Sequence, residues 1–180
     1  VTALSSFVTR RLDVFRPAVL TVGKITAGTT SNIIPESAKL LATLRSVSEH
    51  TRVRAKEGIV RVLEGVAAAH DCRAEVAIDE GYPVTVNDTE VAARVEQLAA
   101  GLFGAARLSP MEHPVMGAED FSYVLARVPG ALAFLGACPP GTDPRRAFAC
   151  HSNRMQIDEE AMASGAAMHA AFAIDRLVIR

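Results

Sequence analysis

Four places in this sequence bring together side chains that could do chemistry. The first is Ala149-Cys150-His151-Ser152, lying between a polar loop and a helical pattern. The imidazole of His151 could ligate a metal, and Cys150 beside it is a soft donor. Adjacent residues of an extended chain point to opposite faces, so the pair does not share one ion. The plainer reading of His151 is a hydrogen-bonded surface histidine at a strand end. The second place is Met116-Gly117-Ala118-Glu119-Asp120-Phe121-Ser122. Gly117 and the free amides of a helix start could bind an anion such as a carboxylate. Equally, Glu119 and Asp120 could simply offset the positive end of the helix dipole, and their charge opposes an anion unless a metal or arginine stands nearby. Asn32, ahead of Ile33-Ile34-Pro35, is third; it could bind a ligand or bridge turn backbone. Arg45, set among Leu44 and Val47, is fourth, either a solvated strand arginine or a fork presented to a carboxylate. His70, His113 and His169 read as structural or surface residues. Walker, GxGxxG, HExxH, GxSxG and paired CxxC patterns are absent from the sequence.

Composition narrows the classes. The 180 residues are 49% hydrophobic and 22% charged, the balance of a globule able to bury a core without disulfides. Nineteen basic against twenty acidic residues leave a net charge of −1, which argues against a nucleic-acid or anionic-membrane surface. Aromatics are 5% with no tryptophan, so base-stacking platforms are not expected either. No stretch reaches the roughly 18 apolar residues of a membrane span, and no signal-peptide pattern opens the chain. Cys72, Cys138 and Cys150 are odd in number and lack CxxC spacing. They predict reduced thiols and a cytoplasmic setting.

The elements that must position those residues follow from periodicity. Leu4, Phe7, Val8 and Leu12 mark one face of an opening helix without a cap, closed by Pro17. Ala18–Val22 and Ser37–Val47 read as strands, with a break at Gly28 and an extended connector into Pro35. Ser48–His70 is a helix with Val53, Val60, Leu63 and Ala67 on one face, despite Gly58 and Gly65, which each cost roughly 1 kcal/mol against alanine. Cys72–Ile78 alternates as a third strand. The first eighty residues are thus a split β-α-β unit short of its first strand. Gly81-Tyr82-Pro83 marks a boundary. Beyond it, Asp88 or Asn87 caps a helix carrying Val91, Val95, Leu98 and Leu102. A short strand near Ala106–Leu108, a helix from Glu119 to Val128, a strand over Ala131–Gly136 and a helix from Asp158 with Met162, Ala166, Ala170, Ala173 and Leu177 inward complete an α/β layer.

Taken in order, these segments resemble one family along nearly the whole chain. AVLTVGKITAGTTSNIIPESAKLLATLRS is similar to the lid entry of the metal-dependent N-acyl-amino-acid amidohydrolases, which include hippurate hydrolase, bacterial aminoacylases, carboxypeptidases of this type and auxin-conjugate hydrolases. EGYPVTVND resembles their return from lid to catalytic domain. PVMGAEDFSYVLARVPGALAFLG and CHSNRMQIDEEAMASGAAMHAAF are similar to their last two signatures. The resemblance implies an α/β fold in which an incomplete ferredoxin-like lid (dimerisation) domain is followed by the C-terminal α/β part of a zinc-peptidase-like catalytic domain. On it, residues 1–16 are the end of a lid helix, 17–82 the lid lacking its first strand, and 83–180 the C-terminal part of the catalytic domain.

The same resemblance implies the chemistry. His151 matches the family's last metal-ligand histidine. Asn32 and Arg45 match lid residues that hold the substrate carboxylate or the oxyanion in the neighbouring subunit of a homodimer. Gly117, Glu119 and Asp120 match the loop and helix start beside the metal pocket. Zinc or manganese, with cobalt or nickel as alternatives, would activate a water, and a glutamate would pass its proton to the leaving nitrogen. That glutamate, the Cys-Asp-Gly-His segment and the other ligands precede Val1 in the family. No catalytic residue is therefore assigned within these 180 residues, and the resemblance implies a C-terminal piece that is inactive by itself. One histidine falls short of the three protein ligands typical of catalytic zinc. The competing expectation is a non-catalytic dimerisation or ligand-binding module, or one half of a split enzyme; neither a nucleic acid nor a membrane is an expected partner.

Overall fold

A computed structural model describes residues 1–178. The fold is a mixture of helices with one small sheet, and the chain divides into two compact units. The first comprises Val1–Thr85 with Glu112–Val124, and the second Val86–Met111 with the chain from Leu125 onward.

In the first unit, helix α1 (Thr2–Arg11) starts without a side-chain cap and ends on Arg10 and Arg11, cations suited to the negative end of the helix dipole. Strands β1 (Ala18–Ala27) and β2 (Ala38–Ser46) pair antiparallel from Ala18↔Ser46 to Ala27↔Ala38. The register slips between Val22 and Lys24, which makes Gly23 the extra residue of a bulge. Both strands fall where alternation places them, and β1 runs five residues further than its β-rich core suggests. Helix α2 (Glu49–Ala68) is capped by Ser48, whose side chain accepts from the Thr51 amide. Leu4, Phe7 and Ile59 form the core, with Leu20, Val22 and Leu44 of the hairpin packed against them.

The buried face of α2 is not the one its valines mark. Thr51, Ala55, Gly58 and Ile59 are buried, whereas Val53 is exposed and Val60, Leu63 and Ala67 only half-buried. Close packing decides this: the Phe7 ring lies directly on Gly58, so the helix turns its smallest residues towards α1. Beside this face Arg52 and Lys56 reach Glu80, at 2.7 and 2.5 Å. The hydrogen bond from Lys56, joined by the charges of Lys56 and Arg52, holds the Glu80 carboxyl below the ordinary glutamate value.

Residues 72–80 form no ladder, although Ala74 and Val76 alternate half-buried with exposed neighbours as a strand would. A strand needs a partner for its amides and carbonyls, and among the described residues β2 is bonded only to β1.

In the second unit, helix α3 (Thr89–Phe103) is capped by Asp88, whose carboxylate accepts from the Val91 amide at 2.9 Å. Asn87 does something else. Its amide receives the Leu132 N–H at 2.8 Å and donates to the Leu132 carbonyl at 2.9 Å, so one side chain replaces a strand neighbour for the segment read as Ala131–Gly136. That segment is accordingly not a strand, nor is Ala106–Leu108. Gly104, at φ 86°, ends α3 and leads into a 3₁₀ turn, Ala105–Arg107. The helix expected over Glu119–Val128 shortens to α4 (Ser122–Leu125), four residues, of which Ser122–Val124 belong to the first unit.

Helix α5 (Ala161–Val178) follows three tight turns that start at Asp158. Its apolar period is present, yet no residue of α5 is buried, and Met162, Ala166, Ala170, Ala173 and Leu177, the face read as inward, are all exposed. Among the described residues no layer covers that face, which leaves it the kind of apolar surface that usually contacts further polypeptide.

Arg94 of α3 grips Asp175 of α5, its Nε 3.0 Å from both carboxylate oxygens. Hydrogen bonding by Arg94, assisted by the charges of Arg94 and Arg176, holds Asp175 below the ordinary aspartate value against the opposing effect of burial. The unfolded chain then binds this proton more readily than the folded one. The pair therefore stabilises the native state fully above about pH 4, and the contribution is lost as pH falls through the depressed native value. Thermal melts between about pH 7 and pH 3 should show this acid loss reduced in Asp175→Asn.

Candidate functional site

The five residues expected to bind substrate all belong to the first unit, and His151 belongs to the second. Each is described in its own surroundings.

Asn32 sits in the exposed loop between β1 and β2, entered through Gly28 at φ 67°. Its side-chain oxygen accepts from the Thr30 hydroxyl at 3.0 Å, a local turn bond that leaves the amide donors without a partner among the described residues. Arg45 lies near the end of β2, opposite Val19. Its Nη1 donates to the main-chain carbonyl of Met116 at 2.8 Å. The edge formed by Nε and Nη2 makes no hydrogen bond or ion pair with any described residue, so a two-pronged donor stays open.

The Met116 bond brings Arg45 beside the segment that carries Gly117, Glu119 and Asp120. A methyl group at Gly117 would meet only Val115, at 3.6 Å, so nothing inside the chain requires glycine there. Glu119 accepts from the Phe121 amide at 3.2 Å, and its main-chain carbonyl receives the Ser122 hydroxyl at 2.6 Å. Ser122 is nearly fully buried. The carboxylate thus serves the helix start locally, while Asp120 projects into solvent. Sequence reasoning placed Met116 in this segment but gave it no role, because its contribution is a carbonyl that any residue type could supply.

His151 is exposed and holds φ 72°, in the left-handed region that costs a non-glycine residue about 1 kcal/mol or more. A turn bond from the Ser152 amide to the Ala149 carbonyl, 3.1 Å, bends the chain around it. Cys150 beside it is an exposed free thiol. No group of three or more His, Cys, Asp or Glu side chains able to hold a metal occurs among the described residues. A single imidazole does not make a metal site. None of the described helices is long and apolar enough to cross a membrane.

Comparison with known proteins places the chain. Residues 8–175 match the Peptidase family M20/M25/M40, and the chain belongs to that family. A thermostable carboxypeptidase of Saccharolobus solfataricus is 32% identical over 96% of this chain and 42% of its own length. An N-acetyldiaminopimelate deacetylase of a Geobacillus strain is 33% identical over 92% of this chain and 42% of its own. An IAA-amino acid hydrolase of Arabidopsis thaliana is 32% identical over 98% and 40%. Among solved structures, a Bacillus subtilis peptidase described as dinuclear and metal-binding superposes with a TM-score of 0.78 at 26% identity, over 99% of this chain and 46% of that one. The chain spans about two fifths of the length of the curated relatives it matches.

Proposed function

We propose that this chain is the C-terminal part of a metal-dependent amidohydrolase that cleaves the amide bond of N-acyl amino acids, hippurate-like compounds or small peptides. The observation that carries the reading is the family match over residues 8–175, joined by relatives named as a deacetylase, a carboxypeptidase and an amino-acid-conjugate hydrolase. In the whole enzyme His151 supplies one ligand to a divalent metal, zinc or manganese, and the remaining ligands and the general base come from other polypeptide. Among the described residues no group of three or more possible ligands forms a metal site, which supports a further part of the proposal: residues 1–180 alone do not turn over substrate.

Asn32 and Arg45 hold the substrate carboxylate or the oxyanion. The open Nε/Nη2 edge of Arg45 has the planar two-donor geometry that a carboxylate matches. Gly117, Glu119 and Asp120 flank the metal pocket. Residues 17–82 are the lid, through which the protein forms a homodimer; 1–16 are the end of a lid helix and 83–180 belong to the catalytic domain. The setting is cytoplasmic, consistent with three free thiols.

A second reading, a non-catalytic dimerisation or ligand-binding module, is favoured by the two-stranded sheet, whose outer edges have no partner among the described residues. A separate chain supplying the rest of the catalytic domain would reconcile the two. The coding sequence upstream of Val1 separates them: Cys-Asp-Gly-His and Glu-Glu segments in frame support the enzyme, and a natural start without them supports the module. The chain loaded with zinc or manganese should not hydrolyse hippurate or N-acetyl-methionine. Turnover that survives repurification and disappears in His151→Ala would refute the inactivity.

A further inference from the structure

We infer that the segment Glu112–Val124 is carried by the first unit through two tethers that flank Gly117–Asp120, and that Arg45 is the positioning residue for Gly117–Asp120. The inference rests on the proposed function only for the importance of that loop; the tethers stand on geometry alone. Just ahead of Gly117 in the segment, Arg45 Nη1 donates to the Met116 carbonyl across 71 positions of sequence. At its back, the Tyr123 hydroxyl donates to the Gly81 carbonyl at 3.4 Å, and its ring meets Tyr82 edge-on with centroids 5.9 Å apart and planes at 85°. Every other hydrogen bond of the segment is local, joining residues 119 to 124 to one another.

The arrangement has a chemical logic. A bond from Nη1 to a fixed carbonyl sets the plane of the guanidinium without using its Nε/Nη2 edge. The loop and the open edge of Arg45 are then held in one frame, and a displacement of the first unit carries Gly117–Asp120 with it. Met116 takes part through its main chain, so its side chain is free to vary.

Hydrogen–deuterium exchange on the 180-residue chain tests the tether without metal or turnover, so its failure is separate from failure of the proposed function. The readout is the amides of Phe121, Ser122, Tyr123 and Val124, whose acceptors lie within the segment. Arg45→Met keeps the side-chain length and removes the donors; exchange at these four amides should rise about tenfold or more, the factor that a hydrogen bond from a charged donor is worth. Arg45→Lys should restore slow exchange, because one ammonium can reach one carbonyl although it cannot reproduce a two-pronged edge. Adding Tyr123→Phe to Arg45→Met should accelerate exchange further. Amides in the middle of α2 report whether the unit stays folded. Unchanged exchange in Arg45→Met overturns the inference, as does Lys behaving like Met. Acceleration that spreads equally into α2 also overturns it, since Arg45 would then support the hairpin as a whole.

Discussion

Gly58→Ala is expected to destabilise the first unit by about 2 kcal/mol, although helix propensity alone favours alanine by roughly 1 kcal/mol. A Cβ at position 58 would overlap three atoms of the Phe7 ring, the farthest of them at 2.8 Å. Phe7 cannot simply step aside, because it is buried with Leu4 and Ile59 in the only core cluster that joins α1, α2 and the hairpin among the described residues. Relief requires α1 to lift or the ring to leave its preferred rotamer, and overpacking of this kind typically costs 1 to 3 kcal/mol. Urea unfolding followed by helix signal measures it. A companion Phe7→Leu substitution makes room at the same spot. The double variant should lose less stability than the two single losses added together, the signature of residues in direct contact. Gly65, where an added methyl group meets nothing within 4 Å, is the internal control: Gly65→Ala should stabilise by a few tenths to 1 kcal/mol.

The second large effect follows from the metal-ligand role proposed for His151 and is expected only in the complete enzyme proposed above. There, loss of the imidazole should reduce metal affinity and turnover by at least about a hundredfold, since even the groups that merely orient metal ligands are worth 10- to 100-fold. Asparagine is the informative replacement. His151 holds φ 72°, and asparagine tolerates the left-handed region better than alanine, so His151→Asn separates ligand loss from backbone strain. In the 180-residue chain the same substitution should move stability by no more than about 0.5 kcal/mol, because the side chain is exposed and makes no hydrogen bond within the described residues. Metal content by mass spectrometry of the whole protein, beside urea unfolding of the chain, gives both numbers. Retained metal and turnover in His151→Asn would remove His151 from the site.

Local chemistry made much of the fold legible. The helices near 2–11, 49–68, 89–103 and 161–178 were visible as 3.6-residue periods, the third with a cap at Asp88 or Asn87, and the hairpin as two β-rich runs about a break at Gly28. What was not legible depended on partners distant in sequence. Residues 72–78 alternate as a strand should, yet alternation supplies a face and not a bonding neighbour. Residues 131–136 are apolar and short, and their Leu132 is satisfied by the side chain of Asn87 instead of by a strand. The valines of α2 suggested a face that the Phe7–Gly58 contact overrode, because a ring packed on bare backbone brings two helices closer than any branched residue would allow.

For the candidate site, the sequence by itself determined the kinds of groups available and, through four ordered resemblances, the family to which the chain belongs. It named His151, Asn32, Arg45, Gly117, Glu119 and Asp120 because side-chain type and chain order are properties of sequence. Only the tertiary structure decided what those groups spend their bonds on. Glu119 caps its own loop, Arg45 commits one nitrogen to the carbonyl of Met116, and His151 stands at a left-handed turn. The physical reason is that a hydrogen bond is specified by where donor and acceptor meet in space. A main-chain carbonyl 71 residues away carries no signature in the sequence until the chain has folded.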